Sequence, residues 1–204
     1  MRLLRRHPEG FDPATPWIQE DESVRQDSRL FRQVVARRRS PHTGREQAFY
    51  RLQGPDWVNV IPFTKEGELL VVEQFRHGID APTLEIPGGS CDEGETPRQS
   101  AERELREETG FISEAWIELG HCAPNPATLS NRCHSYLALD CSPAGDGHLS
   151  LDHTEEIQVW AFPWPEWEAR LRSGDIEHAL VLTAFFKLEG WEGWPGLRER
   201  LMAP

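Results

Sequence analysis

Gly89 to Phe111 reads GSCDEGETPRQSAERELREETGF. Gly89, Glu95, Arg103, Glu104, Leu105, Glu107, Glu108, Gly110 and Phe111 fit the pattern G-x5-E-x7-R-E-U-x-E-E-x-G-U, where U is an apolar residue. The second half of the stretch is a helix with both ends marked. Thr96 followed by Pro97, with Gln99 three residues after the threonine, joins a capping box to a proline at the first helical position. Gly110 is the matching stop, because glycine tolerates the left-handed conformation that ends helices. The segment between them, 97–109, spans about 20 Å at 1.5 Å per residue. Glu104 and Glu108 then lie one turn apart with Glu107 beside them. Ala101 and Leu105 form an apolar stripe that anchors the helix to a core. Three clustered carboxylates repel one another and call for a cation. Hard oxygen ligands favour Mg2+ or Mn2+, ions that also bind phosphate oxygens. Arg103, four residues before Glu107, is placed to pair with it.

A solvated acidic helix face is the plainer reading of Glu104, Glu107 and Glu108 alone. It leaves the preceding segment unexplained. Glu85-Ile86-Pro87-Gly88-Gly89 is a strand end followed by two glycines, where a backbone can approach a ligand closely. Loop and helix together point to a catalytic site.

The complete pattern resembles the box of the Nudix hydrolases. The resemblance covers roughly residues 30 to 190 and implies that family's α/β/α sandwich: a mixed sheet with an N-terminal β extension, α+β in class. It implies cation-assisted hydrolysis of a diphosphate linked to some other group X, with Mg2+ or Mn2+ as cofactor. Glu104 and Glu108 would hold the metal, helped by Glu107 and the Gly88 carbonyl, with Arg103 orienting Glu107. Glu155-Glu156-Ile157-Gln158-Val159 resembles a segment in which the family brings in a late glutamate. Glu155 is thereby the candidate general base or final metal-site ligand, with Glu107 as the rival base.

The box does not name X. Glu73-Gln74-Phe75-Arg76-His77 and Leu84-Glu85-Ile86-Pro87-Gly88-Gly89 resemble segments of the ADP-ribose and nucleoside-diphosphate-sugar branch. Arg76 is then a fork donor for phosphate or sugar oxygens, or simply a surface arginine ending a strand. Glu85 either contacts substrate or pairs with Arg76. Pro126 lies sixteen residues past Gly110, where ADP-ribose enzymes carry a loop proline, but Asn125-Pro126-Ala127 stands where Ser-Pro-Gly is commoner. That departure favours a broader nucleotide-sugar range. Asn125, Asn131 and Arg132 are polar candidates for reading the substrate, or loop-capping residues. Trp57 is placed to stack on a base or to serve as a core or interface tryptophan. Other choices of X, such as a nucleoside triphosphate, a dinucleotide polyphosphate or coenzyme A, stay open, as does a non-catalytic sensor of ADP-ribose-type ligands.

The 204 residues suit one domain with an extension. A net charge of −12 argues against a nucleic-acid partner. An acidic enzyme can still bind an anion where metals carry the local positive charge. Cys91, Cys122, Cys133 and Cys141 lack zinc-site spacing and read as reduced thiols, in keeping with a cytoplasmic protein. No signal peptide and no membrane span are legible. Residues 1–28 read as an extended arm with Trp17 docking on the body, and 29–55 as a dimerising β-hairpin turning at Pro41 to Gly44. Residues 56–190 read as the hydrolase domain and 191–204 as a tail. Strands are expected at 58–63, 69–75, 116–122, 134–139 and 157–162. Helices are expected at 97–109, 165–172 and 176–188, with a polar loop at 142–154. In the related branch, the leading segment builds a homodimer, which is therefore the expected assembly.

Overall fold

The structure, a computed structural model, describes residues 12, 14–28, 31–145 and 156–203. These fall into two units, Met1–Gly54 with Asn125–Ser130, and Pro55–Pro124 with Asn131–Pro204.

The first unit is a three-stranded antiparallel sheet in the order β1 (Ile18–Asp27), β2 (Arg32–Arg39), β3 (Glu46–Gln53). The hairpin expected between residues 30 and 52 is β2 and β3, closed through Ser40 and Arg45. The stretch read as part of an extended arm contains a full strand. Its acidic residues face arginines: Arg39 to Glu20 at 2.6 Å, Arg32 to Asp27 at 3.3 Å, Arg37 to Asp21 at 3.7 Å. Each exposed pair contributes at most about 1 kcal/mol, so backbone pairing with β2 carries the strand and the charges select its partner. Trp17 meets Phe49 edge-on, with ring centroids 5.2 Å apart. In the loop of this unit, Leu52 and Thr128 to Ser130 exchange backbone hydrogen bonds.

The second unit is built on a mixed sheet in the order β11 (Ile157–Pro163), β5 (Glu68–Arg76), β4 (Trp57–Thr64), β10 (Cys133–Pro143), β8 (Phe111–Ile112). β6 (Ala81–Glu85) joins β5, β7 (Gly88–Ser90) joins β4, and β9 (Ala115–Cys122) joins β10. Only β4 and β10 run parallel; the other pairs are antiparallel. Successive side chains on a strand point to opposite faces, and the core divides accordingly. Val58, Val60, Leu70, Tyr136 and Ala138 pack with Ala101 and Leu105 of α1 (Pro97–Thr109). Their neighbours Ile61, Phe63, Leu69, Val71 and Leu137 pack on the opposite face, against α2 (Trp164–Ser173), α3 (Ala179–Glu189) and α4 (Trp194–Met202). A sheet covered on both faces explains why β4 and β5 read as continuous apolar runs.

Two helical segments differ from the reading. α3 begins at Ala179 rather than Ile176, because Gly174 ends α2 in the left-handed region (φ 88°) and Ile176 is buried as a connecting residue. The stretch read as a tail is α4, whose Trp194 and Leu197 join the core. Of the expected polar loop, the described part begins late, since β10 runs through Pro143. Trp167 is fully buried at the centre of the helical layer. Trp167→Ala is expected to cost about 3–5 kcal/mol through lost burial and the cavity left behind, read as a lowered midpoint in chemical denaturation.

Candidate active site

The box helix forms as its sequence dictates. Thr96 Oγ1 accepts from the Gln99 N–H at 3.3 Å and Gln99 Oε1 accepts from the Thr96 N–H at 2.9 Å, closing the capping box. Pro97 occupies the first turn, and Gly110, at φ 73°, donates its N–H to the Arg106 carbonyl. Ala101 and Leu105 are fully buried. With that stripe against the sheet, Glu104 and Glu108 fall on the side of the helix that meets the glycine loop. Both are buried, at 8% and 3% exposure, a costly location for carboxylates without partners.

The loop supplies part of the answer. The Gly88 N–H donates to Glu108 Oε2 at 2.8 Å. Glu104 lies against Gly89 so closely that a Cβ there would stand 2.4 Å from Glu104 Oε1. Arg103 supplies the rest. Its Nη1 bridges Glu104 Oε1 at 2.8 Å and Glu107 Oε2 at 3.0 Å. Its Nε reaches both oxygens of Glu95 at 3.2 Å, and Nη2 donates to the Ser90 carbonyl at 2.9 Å. Partial burial works against the arginine's charge, but Glu104, Glu107 and Glu95 outweigh it and raise its pKa further. Glu95 is held below the ordinary carboxylate range by the Ser100 hydroxyl and then by Arg103. The arrangement thus places Gly88, Arg103, Glu104, Glu107 and Glu108 together.

By donor chemistry these residues suit a hard divalent cation. The donors are carboxylate and backbone oxygens, and two of the carboxylates are buried beside backbone that admits no side chain. Among the described residues no three metal-binding side chains converge on one point. Glu104 and Glu107 are joined here through one guanidinium nitrogen of Arg103.

Arg76 and Glu85 form a second cluster. Arg76 Nε and Nη2 each donate to a Glu85 oxygen at 2.6 Å, the Thr83 hydroxyl donates to Oε1 at 2.6 Å, and His178 Nε2 lies 3.6 Å from Oε2. Glu85 is 3% exposed, while the Arg76 side chain remains 41% exposed. Burial pushes the Glu85 carboxyl up, but Arg76, Thr83 and His178 together hold it below its ordinary value of 4.5. A carboxyl with a depressed folded pKa stabilises the fold fully above the unfolded value and loses that contribution as pH falls through the folded one. The melting temperature should therefore fall as the pH drops below 4.5, and Glu85→Gln should flatten that dependence. Equal slopes in the two proteins would contradict the assignment.

The remaining candidates are dispersed along the chain. Trp57 opens β4, half-buried, and its backbone N–H donates to the Arg132 carbonyl at 2.8 Å. Arg132 is exposed, with its own N–H on Asp56 Oδ1 at 2.8 Å. Asn125 Oδ1 accepts from the Ala127 N–H at 3.3 Å, a loop-capping contact. Asn131 is 4% exposed, and neither amide atom has a hydrogen-bond partner. Glu155 lies outside the described residues.

Sequence reasoning missed Asn59 and His178. Asn59 is buried opposite Gly88 and donates to the Leu180 carbonyl at 3.2 Å, tying α3 to the glycine loop. The signal was present: one amide inside the apolar run Trp57-Val58-Asn59-Val60-Ile61. His178 carried none, being an ordinary polar residue before a helix.

Comparison with known proteins supplies the family. The NUDIX domain model matches residues 55–185. The methanol dehydrogenase activator of Bacillus methanolicus is 39% identical over 105 residues, 52% of this chain and 56% of that protein. The ADP-ribose pyrophosphatase of Bacillus subtilis (strain 168) is 32% identical over 105 residues, with the same shares. The ADP-sugar pyrophosphatase of Mus musculus is 40% identical over 73 residues, 34% of this chain and 32% of that protein. The matched region thus spans little more than half the length of the first two of these curated relatives. A crystal structure of an ADP compounds hydrolase shares the fold, with a TM-score of 0.76 at 22% identity over 89% of this chain and 96% of that one. No helix among the described residues is long and apolar enough to cross a membrane. With the family model covering most of the chain and the box residues gathered on one helix and its loop, the chain belongs to the NUDIX family.

Proposed function

We propose that the protein hydrolyses the diphosphate bond of nucleoside diphosphate sugars, ADP-ribose among them. It would release a nucleoside monophosphate and a sugar phosphate, and depend on Mg2+ or Mn2+. The observation that carries this reading is that Arg103 joins Glu104 and Glu107 while Glu104 lies against Gly89 and Glu108 accepts from the Gly88 N–H. Relatives named ADP-ribose pyrophosphatase and ADP-sugar pyrophosphatase support the choice of substrate.

Glu104, Glu107, Glu108 and the Gly88 carbonyl would hold the cation. When bound, it supplies positive charge for the diphosphate oxygens and makes water a better nucleophile at neutral pH. Arg103 fixes Glu104 and Glu107 before substrate arrives, so their orientation costs nothing at the moment of reaction. Water adds to one phosphorus, the bridging P–O bond breaks, and the proton passes to a carboxylate, Glu155 or Glu107. Arg76 presents its exposed edge to phosphate or sugar oxygens. Trp57, Asn131, Arg132 and Asn125 are the further candidates for reading X. We read the chain as a cytoplasmic homodimer paired through its N-terminal strands, acting on a small molecule and not on nucleic acid.

Incubation with Mg2+ and ADP-ribose, ADP-glucose, GDP-mannose, UDP-glucose, ATP and diadenosine polyphosphates, with products separated by chromatography, tests the substrate class. Monophosphate from several nucleotide sugars is the expected result. Turnover of the triphosphate or the dinucleotides alone would move X to another class.

A further inference from the structure

We infer that His178 is a positioning residue: it holds Glu85 in place when Arg76 turns its guanidinium from Glu85 toward the anionic substrate. The inference rests on the proposed function, because it takes the diphosphate sugar as the ligand of Arg76.

Arg76 has two competing demands. Both oxygens of the buried Glu85 accept from it at 2.6 Å, yet its side chain is 41% exposed. An arginine that moves to a phosphate leaves behind a carboxylate at 3% exposure. Such a carboxylate is unfavourable unless another donor takes over. Thr83 serves Oε1. On Oε2, the other available group is His178, whose Nε2 stands 3.6 Å away, just beyond hydrogen-bond reach.

Three further observations place His178 in this role. It occupies the cap position of α3, but its side chain makes no capping hydrogen bond. Its Nδ1 is buried with no hydrogen-bond partner, so no second bond holds the ring away from Glu85. The first turn of α3 is fixed by Asn59, which donates to the Leu180 carbonyl and lies opposite Gly88 in the β4–β7 pairing. The backbone carrying His178 is thus anchored to the same loop that receives Glu108. A small rotation brings Nε2–H onto Oε2 as Arg76 leaves.

The test compares wild-type protein with His178→Ala, His178→Gln, Arg76→Ala and the double variant. Steady-state kinetics on ADP-ribose with Mg2+ and calorimetric binding of ADP-ribose without metal are the two readouts. His178→Ala should raise KM and Kd about tenfold with kcat within about twofold, the signature of lost binding rather than lost chemistry. His178→Gln, which keeps an N–H donor, should recover most of that loss. In the Arg76→Ala background, His178→Ala should add nothing to KM, because the two act as one unit. A KM and Kd unchanged in His178→Ala would overturn the inference. So would an effect that multiplies with that of Arg76→Ala, the mark of a merely structural contact. A wild-type protein that binds ADP-ribose but turns over no diphosphate sugar overturns the proposed function alone, with the Kd contrast still deciding the role of His178. A wild-type protein that binds none overturns both.

Discussion

Glu108→Gln is expected to lower kcat on nucleoside diphosphate sugars by about a thousandfold while leaving the fold intact. The side chain is buried, and one oxygen accepts the Gly88 N–H at 2.8 Å. A glutamine oxygen still accepts that bond, though without the charge that strengthens it, so the loop keeps its contact. What disappears is the negative charge, and with it one hard donor for the proposed cation. Activity and stability should therefore separate: circular dichroism and the melting temperature stay near wild type while turnover collapses. Added Mg2+ should raise the wild-type melting temperature and have less effect on the variant, since a ligand stabilises only the state that binds it. Wild-type turnover by Glu108→Gln would remove the carboxylate from the metal site.

The two adjacent glycines of the loop should fail in different ways when each is replaced by alanine. At Gly89 the added Cβ would stand 2.4 Å from Glu104 Oε1 and 2.7 Å from its Cδ. That neighbour is the end of a flexible side chain, so the fold adapts by moving the carboxylate. Displacing a ligand by an ångström costs about a hundredfold in rate, and Gly89→Ala should therefore be folded and nearly inactive. At Gly88 the Cβ would meet backbone, 2.3 Å from the Val58 carbonyl and 2.9 Å from the Asn59 Cα. The β4–β7 pairing has to open to admit it. Overpacking of that kind costs about 1–3 kcal/mol or more, so Gly88→Ala should lose stability as well as activity. A stable, active Gly88→Ala protein would show that this pairing is not needed.

Much of this site was legible in the sequence because its physics is local. Cap, proline and terminal glycine define α1 without reference to the rest of the chain. Spacing within the helix then places Glu104, Glu107 and Glu108 near Arg103. The strands β4, β5, β9, β10 and β11 were legible from apolar runs for the same reason. What escaped depends on distant partners. β1 carries charges all along its length and becomes a strand only because β2 offers arginines and an open edge. α4 looks like a tail until Trp194 meets Trp164, ring centroids 4.9 Å apart. The two-residue β8 is too short to show any period. His178 acquires meaning only from Glu85, far away in the chain, and Asn59 only from α3. The pairing of Arg76 with Glu85 stood among the sequence alternatives, and geometry selected it without excluding a substrate role for the arginine.

The most direct test of the central claim is the product analysis of ADP-ribose incubated with the purified protein, with Mg2+ and with a chelator in its place. AMP and ribose 5-phosphate are expected in equal amounts with Mg2+, and neither with the chelator. No cleavage with Mg2+, or cleavage undiminished by the chelator, would contradict it.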